Sequence, residues 1–228
     1  MIVAALVVGA TPALAADMTA PTNAADMPSY YWDGLYIGAN AGAGAITGTT
    51  TDYSGYLSPG GMPAQFSQTA LGGLVGVTAG YNLQFGQAVL GVEGDLQWTS
   101  LKADSTFGIG YMSNSDWDWF GTVRARAGVA FDRGLVYATA GGVFAHSLYD
   151  YGPQVPDGDV ASDSIEWGLA AGAGVEYALT DHLSAKLEYI DLILPTKHAG
   201  NGDFLTPPGE IDFVSGVQIA RAGVNFHF

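Results

Sequence analysis

Over residues 116–131 apolar and polar side chains alternate one by one. Trp117, Trp119, Val123, Ala125, Ala127, Val129 and Phe131 stand against Asp118, Thr122, Arg124, Arg126 and Gly128. A helix, turning about 100° per residue, would spread the two arginines and the aromatics around its whole circumference, so this period of two specifies a strand. The same period recurs elsewhere. Residues 34–45 set Leu35, Ile37, Ala39, Ala41 and Ala43 against Tyr36, Gly38, Asn40, Gly42 and Gly44, and residues 71–84 form a second strand. In residues 89–98, Leu90, Val92, Leu96 and Trp98 oppose Glu93, Asp95 and Gln97. Residues 135–148 make a fifth strand, where small side chains leave the two faces unassigned. Residues 165–179 set Ile165, Trp167, Leu169, Val175 and Tyr177 against Glu166, Gly172, Gly174 and Glu176, and residues 183–192 set Leu183, Ala185, Leu187 and Tyr189 against Ser184, Lys186 and Glu188. The chain ends on Ala220, Ala222, Val224, Phe226 and Phe228 against Arg221, Gly223, Asn225 and His227.

The connections between these eight segments alternate in length. Phe85-Gly86-Gln87, Asp132-Arg133-Gly134 and Thr180-Asp181-His182 are tight, hairpin-type links, whereas residues 47–68, 99–115, 149–164 and 193–210 are long and polar. The long links hold many acids, among them Asp150, Asp157, Asp159, Asp163, Asp203 and Glu210. An even strand count with short turns on one side and long loops on the other is the pattern of an outer-membrane barrel, with the short turns toward the periplasm. The expected fold is all-β: an eight-stranded antiparallel up-and-down transmembrane barrel over residues 33–228 with four long extracellular loops.

A soluble barrel of lipocalin type also alternates, but there the apolar face turns inward and the polar face meets water. Here the polar faces mix glycine and alanine with a few charges, which suits a crowded interior. Arg124, Arg126, Lys186 and Arg221 fall on those faces beside Glu93, Asp95, Glu166, Glu176 and Glu188. An eight-stranded lumen is filled by side chains, so buried guanidinium groups must meet carboxylates. A lumen of paired charge is therefore expected rather than an open pore. The apolar faces would form an exposed band too large for a soluble monomer, and lipid is the solvent that suits them. Trp98, Trp117, Trp119 and Trp167 are placed in an outer aromatic girdle. The repeated Ala-Gly-Val-x-aromatic ending of the down-going strands puts Phe131, Tyr177 and Phe226 in an inner one.

Composition narrows the classes further. Only 13% of the 228 residues are charged, about half the soluble average, and the net charge is −15. Nothing here could build a basic footprint for nucleic acid. No cysteine is present, which removes disulfides, thiolate nucleophiles and Cys-based metal sites. Residues 2–16 are apolar but too short for a spanning helix, and the Ala13-Leu14-Ala15 ending reads as a secretory signal cleaved after residue 15. No Lys or Arg precedes that run, so the start is expected upstream of Met1. Residues 16–32 are read as a flexible segment before the barrel.

Several blocks also resemble the small alphaproteobacterial outer-membrane barrels, the porin-like major surface proteins of Brucella and Rhizobium relatives. They are Trp32-Asp33-Gly34-Leu35-Tyr36-Ile37-Gly38, Gly80-Tyr81-Asn82, Leu90-Gly91-Val92-Glu93-Gly94-Asp95, Trp119-Phe120-Gly121-Thr122-Val123-Arg124-Ala125-Arg126, Gly174-Val175-Glu176-Tyr177-Ala178-Leu179 and Lys186-Leu187-Glu188-Tyr189. The resemblance implies an outer-membrane location in a Gram-negative envelope and a role in envelope integrity or at the surface. Phe228, with Phe226 and Val224 at alternate positions, is similar to the C-terminal signal read by the outer-membrane assembly machinery.

Sharper chemistries find little support. His146-Ser147 are strand neighbours that point to opposite faces, so they do not make a base and nucleophile. His146, His182, His198 and His227 lack ligand spacing, and Asp157-Gly158-Asp159 carries only a fragment of a calcium loop. Gly42, Gly44 and Gly48 are followed by no helix that could seat a phosphate. The expectation is a non-enzymatic barrel without cofactor or metal, monomeric, with lipid and lipopolysaccharide as its surroundings. A narrow porin and a loop-based adhesin or small-ligand receptor are the alternatives.

Overall fold

In a computed structural model, residues 29–52, 62–106, 112–151, 160–194, 197–199 and 211–228 are described. Among them are β1 (Gly34–Asp52), β2 (Ala64–Phe85), β3 (Ala88–Thr106), β4 (Met112–Phe131), β5 (Gly134–Tyr151), β6 (Val160–Ala178), β7 (Leu183–Ile193), β8 (Lys197–Ala199) and β9 (Ile211–His227). Each long strand pairs antiparallel with the next, and β9 returns to β1 through a ladder from Tyr36↔His227 to Asp52↔Ile211. The sheet is thus a closed barrel of eight strands, with β8 a short flap against β9. Closure leaves no sheet edge, which is the condition for a β structure to cross lipid.

Turn chemistry sets the register at the periplasmic end. Gly86 and Asp132 open the β2–β3 and β4–β5 turns at φ of 63° and 49°, the left-handed conformation that a tight hairpin requires. At the other end the strands run further than the alternation suggests. β1 continues through Thr49, Thr50 and Thr51 to Asp52, paired to β2 as far as Ala64, within what reads from the sequence as a loop. Backbone pairing and the β-branched threonines sustain these extensions where no buried face imposes a period of two. The expected signal at residues 1–15, residues 16–28, and Asp157, Asp159, Asp203 and Glu210 lie outside the described residues.

The alternation holds through the spanning region. Leu90, Val92, Val123, Val129, Trp167, Leu169, Leu187 and Phe226 point outward, while Glu93, Asp95, Arg124, Arg126, Glu176, Lys186, Glu188 and Arg221 are buried inside. The unassigned fifth strand turns Leu135, Tyr137, Thr139, Val143 and Ala145 inward. Tyr30 and Trp32, which precede the first strand, fold back into the periplasmic mouth and are buried there. Gln84 holds this strap: its side-chain oxygen accepts from the Trp32 N–H at 2.6 Å, and its own N–H donates to Asp33 at 3.0 Å.

Candidate functional site

The interior is the part of the molecule where the chemistry concentrates, and it is built in three layers. Nearest the periplasm, Tyr30, Trp32, Val89, Ala130, Leu135, Tyr137 and Ala178 form an apolar and aromatic plug. The His227 ring stacks on Tyr36 at 5.5 Å between centroids and meets Trp32 edge-on at the same distance. Toward the loops, a second apolar layer joins Ile46, Leu74, Phe120, Val143, Ala170, Ile190, Leu192, Leu194, Val217 and Ile219.

Between these layers lie the charges. Arg124 on β4 donates through Nη2 to Glu93 at 2.5 Å and Asp95 at 2.9 Å on β3, and through Nη1 to Glu188 on β7 at 3.0 Å. Arg221 on β9 pairs with Glu188 at 2.6 Å and Asp95 at 3.2 Å, and Lys186 donates to Glu93 at 3.0 Å. Arg126 forms a second pair with Glu176, and its guanidinium lies 3.7 Å from the centroid of the Tyr137 ring. Tyr36 joins the two groups, since its hydroxyl donates to Glu93 at 2.8 Å and accepts from Arg126 at 3.2 Å. Every one of the charged side chains is at most 1% exposed.

Four cations, Arg124, Arg126, Lys186 and Arg221, face four carboxylates, Glu93, Asp95, Glu176 and Glu188, so the layer is electrically balanced. Remaining lone pairs are also used. Thr122 donates to Asp95 at 2.6 Å, while Ser184 and Asn225 each donate to Glu176 at 2.5 Å. These acceptors are satisfied as a buried ion pair requires, because an unmatched charge in this environment costs several kcal/mol, while among the described residues Arg126 Nε, Arg221 Nη1 and the Tyr137 hydroxyl make no hydrogen bond. The bonds run from β3 and β4 across the lumen to β7 and β9, opposite walls of the barrel, so the network acts as a cross-brace.

Glycine makes the room. Gly42 lies beside Arg221 in the β1–β9 ladder and Gly141 beside Arg124 in the β4–β5 ladder, and a Cβ at either would collide with a neighbouring carbonyl and the arginine backbone. Small inward residues are therefore the partners of the large inward ones.

Of the expected lumen charges, Glu166 is the exception. It shares the inward face but lies half-buried on the loop side of Ala170 and the apolar layer, away from Glu176 and the central network. Alternation specifies a face but says nothing about depth. Conversely, Tyr36, Tyr137, Thr122, Thr139, Ser184, Asn225 and His227 complete the network, although only their placement on inward positions could have signalled it. The outer apolar layer was also hidden, because in Tyr189-Ile190-Asp191-Leu192-Ile193 apolar residues occupy both faces.

Outside the barrel, Trp98 and Trp167 are exposed at the loop end of the spanning surface, and Phe131, Tyr177 and Phe226 at the periplasmic end. Trp119 also faces outward but is half-buried, its ring stacked on His146 at 5.5 Å. A bulge separates it from Trp117, whose side chain is outside the described set. Val224, Phe226 and Phe228 share the outward face of the last strand.

This geometry agrees with the relatives of the chain. Residues 1–228 match the family described as outer membrane protein beta-barrel domain. The 31 kDa outer-membrane immunogenic protein of Brucella melitensis is 32% identical over 233 residues, spanning 96% of this chain and 95% of that protein. The 22 kDa outer membrane protein of Rhizobium leguminosarum is 32% identical over 162 residues, spanning 71% of this chain and 64% of its own length. Among solved structures, OprG of Pseudomonas aeruginosa shares the fold, with a TM-score of 0.51 and 15% identity over 88% of this chain and 100% of that one. The chain is a β-barrel protein of the outer membrane and belongs to the outer membrane protein beta-barrel domain family.

Proposed function

We propose that the protein is a non-conducting, non-enzymatic barrel that braces the outer membrane and carries surface loops. The observation that carries this reading is the layered lumen: a balanced charge network enclosed between an aromatic plug and a second apolar layer. Water and ions cross a pore along polar surface, and here two apolar layers interrupt any such path. The charged groups are held by one another, so they stiffen the wall and are not available to a substrate. The names of the Brucella relatives, immunogenic proteins of the outer membrane, support the surface part of the proposal. Recording from purified protein in planar bilayers tests it. Silent membranes are expected, and reproducible channels of porin size would overturn it. Delivery by the assembly machinery through Phe228 belongs to the same proposal, and deleting Phe228 should lower the amount of folded barrel recovered from outer membranes.

A further inference from the structure

The lipid-facing surface has two unlike sides. On β3 to β6 the outer rim is aromatic: Trp98 faces Trp119 across the ladder, Trp119 stacks on His146, and Phe144 meets Trp167 at 5.6 Å. On β7, β9 and β1 the corresponding surface holds Asp191, Gln218 and Thr47. Asp191 falls between outward-facing Tyr189 and Ile193, and it pairs with Ala171, from which Trp167 lies four residues toward the loops. Asp191 is therefore on the hydrocarbon side of Trp167, by roughly 7 Å once the cross-strand stagger of a tilted barrel is allowed for. An ionisable side chain facing lipid at that depth calls for a partner.

The residues around it indicate which partner. Asp191 and Gln218 are directly opposite in the β7–β9 ladder, on the same outward face. Among the described residues Asp191 has no hydrogen-bond donor. Gln218 has its side-chain oxygen engaged by the Thr47 hydroxyl at 3.1 Å, which leaves the amide N–H groups free to donate. A carboxylate without a donor and an amide without an acceptor, side by side, form a self-complementary patch. A twofold axis between two such patches lets each Gln218 donate to the other copy's Asp191. Apart from Tyr189 and Ile193 on β7, the flanking outward residues are small, with Ala43 and Ala45 on β1, Ala171 on β6, and Gly216 and Ala220 on β9, so the β9–β1 side of two barrel walls can approach closely. A lipopolysaccharide phosphate fits less well, because it would bring negative charge to Asp191 and five of the chain's seven basic residues are inside the barrel or at the periplasmic turn.

We propose that the β7–β9–β1 face is the interface with a second copy of this chain in the membrane, replacing the monomer expected from the sequence. The proposal is independent of whether the lumen conducts. The natural chain has no cysteine, so single cysteines report proximity cleanly. Ala220→Cys lies within the patch, and Val123→Cys on β4 lies on the opposite wall. In outer-membrane vesicles, oxidation or a short thiol cross-linker should give several-fold more dimer from Ala220→Cys than from Val123→Cys. Adding Gln218→Leu or Asp191→Leu should cut that yield several-fold while heat-modifiable gel mobility shows the barrel still folded. Equal yields from the two cysteines, or a yield indifferent to both leucine substitutions, would overturn the proposal. A yield that responds to chelation of divalent cations but not to Gln218→Leu would overturn it in favour of lipopolysaccharide.

Discussion

The middle and the outer thirds of the lumen fill similar space by opposite means. In the middle, Arg124 alone reaches Glu93, Asp95, Glu188, Thr122 and Thr139, so order comes from directional bonds to the adjacent strands and across the lumen to β7. In the outer third, Ile190, Leu192, Phe120 and Val217 touch without preferred partners. A narrow barrel thus separates register from closure: the charge layer fixes which strands face which, and the apolar layer excludes water. Mutations should tell the two apart.

The largest effect is expected at Arg124. Arg124→Ala leaves three carboxylates short of a cation, and loss of one member of a buried network costs about 3–5 kcal/mol. Urea unfolding in detergent micelles, followed by gel mobility, measures it; a loss under about 1 kcal/mol would mean that water replaces the guanidinium. Leu192→Ala should cost about 2–4 kcal/mol as an ordinary core truncation, and it should leave bilayers silent because the plug at Trp32 remains. Combining it with Trp32→Ala is the variant expected to leak, and silence from that pair would assign closure to the charge layer instead. Gly42→Leu should cost about 1–3 kcal/mol in the same urea unfolding, by overpacking against the Ala220 carbonyl and Arg221.

The smallest effect concerns the strap. Burial pushes the Tyr30 phenol up to about 12, with Glu176 adding to the shift. A raised value in the folded state means that the contribution is complete below pH 10, the ordinary value, and is lost as pH rises toward 12. Tyrosinate absorbance should therefore appear late for this ring. Tyr30→Phe should remove that late phase and leave the charge layer unaffected, which separates the strap from the brace.

Much of this was readable in residues 116–131. A strict period of two placed Arg124 and Arg126 inside, and the known narrowness of eight strands then required carboxylates opposite them. Glu166 shows where such reading stops, since its face was right and its depth was not. Leu192 and Ile190 were invisible for another reason: apolar residues on both faces erase the period. Tyr30 and Trp32 follow no period at all, because they enter the barrel as a strap and not as a strand. The strand extensions beyond residue 45 escaped because polar side chains in water leave pairing without a pattern.

The seam between β1 and β9 has a consequence for how the molecule is made. Tyr36 pairs with His227, so the first and last strands, nearly the whole chain apart, are neighbours. The remaining strands can zip locally as hairpins, but this last ladder has the highest contact order the polypeptide allows. β9 must be synthesised and exported before this ladder can form. Until then two full strand edges remain open, and β9 is the closing stave of the barrel.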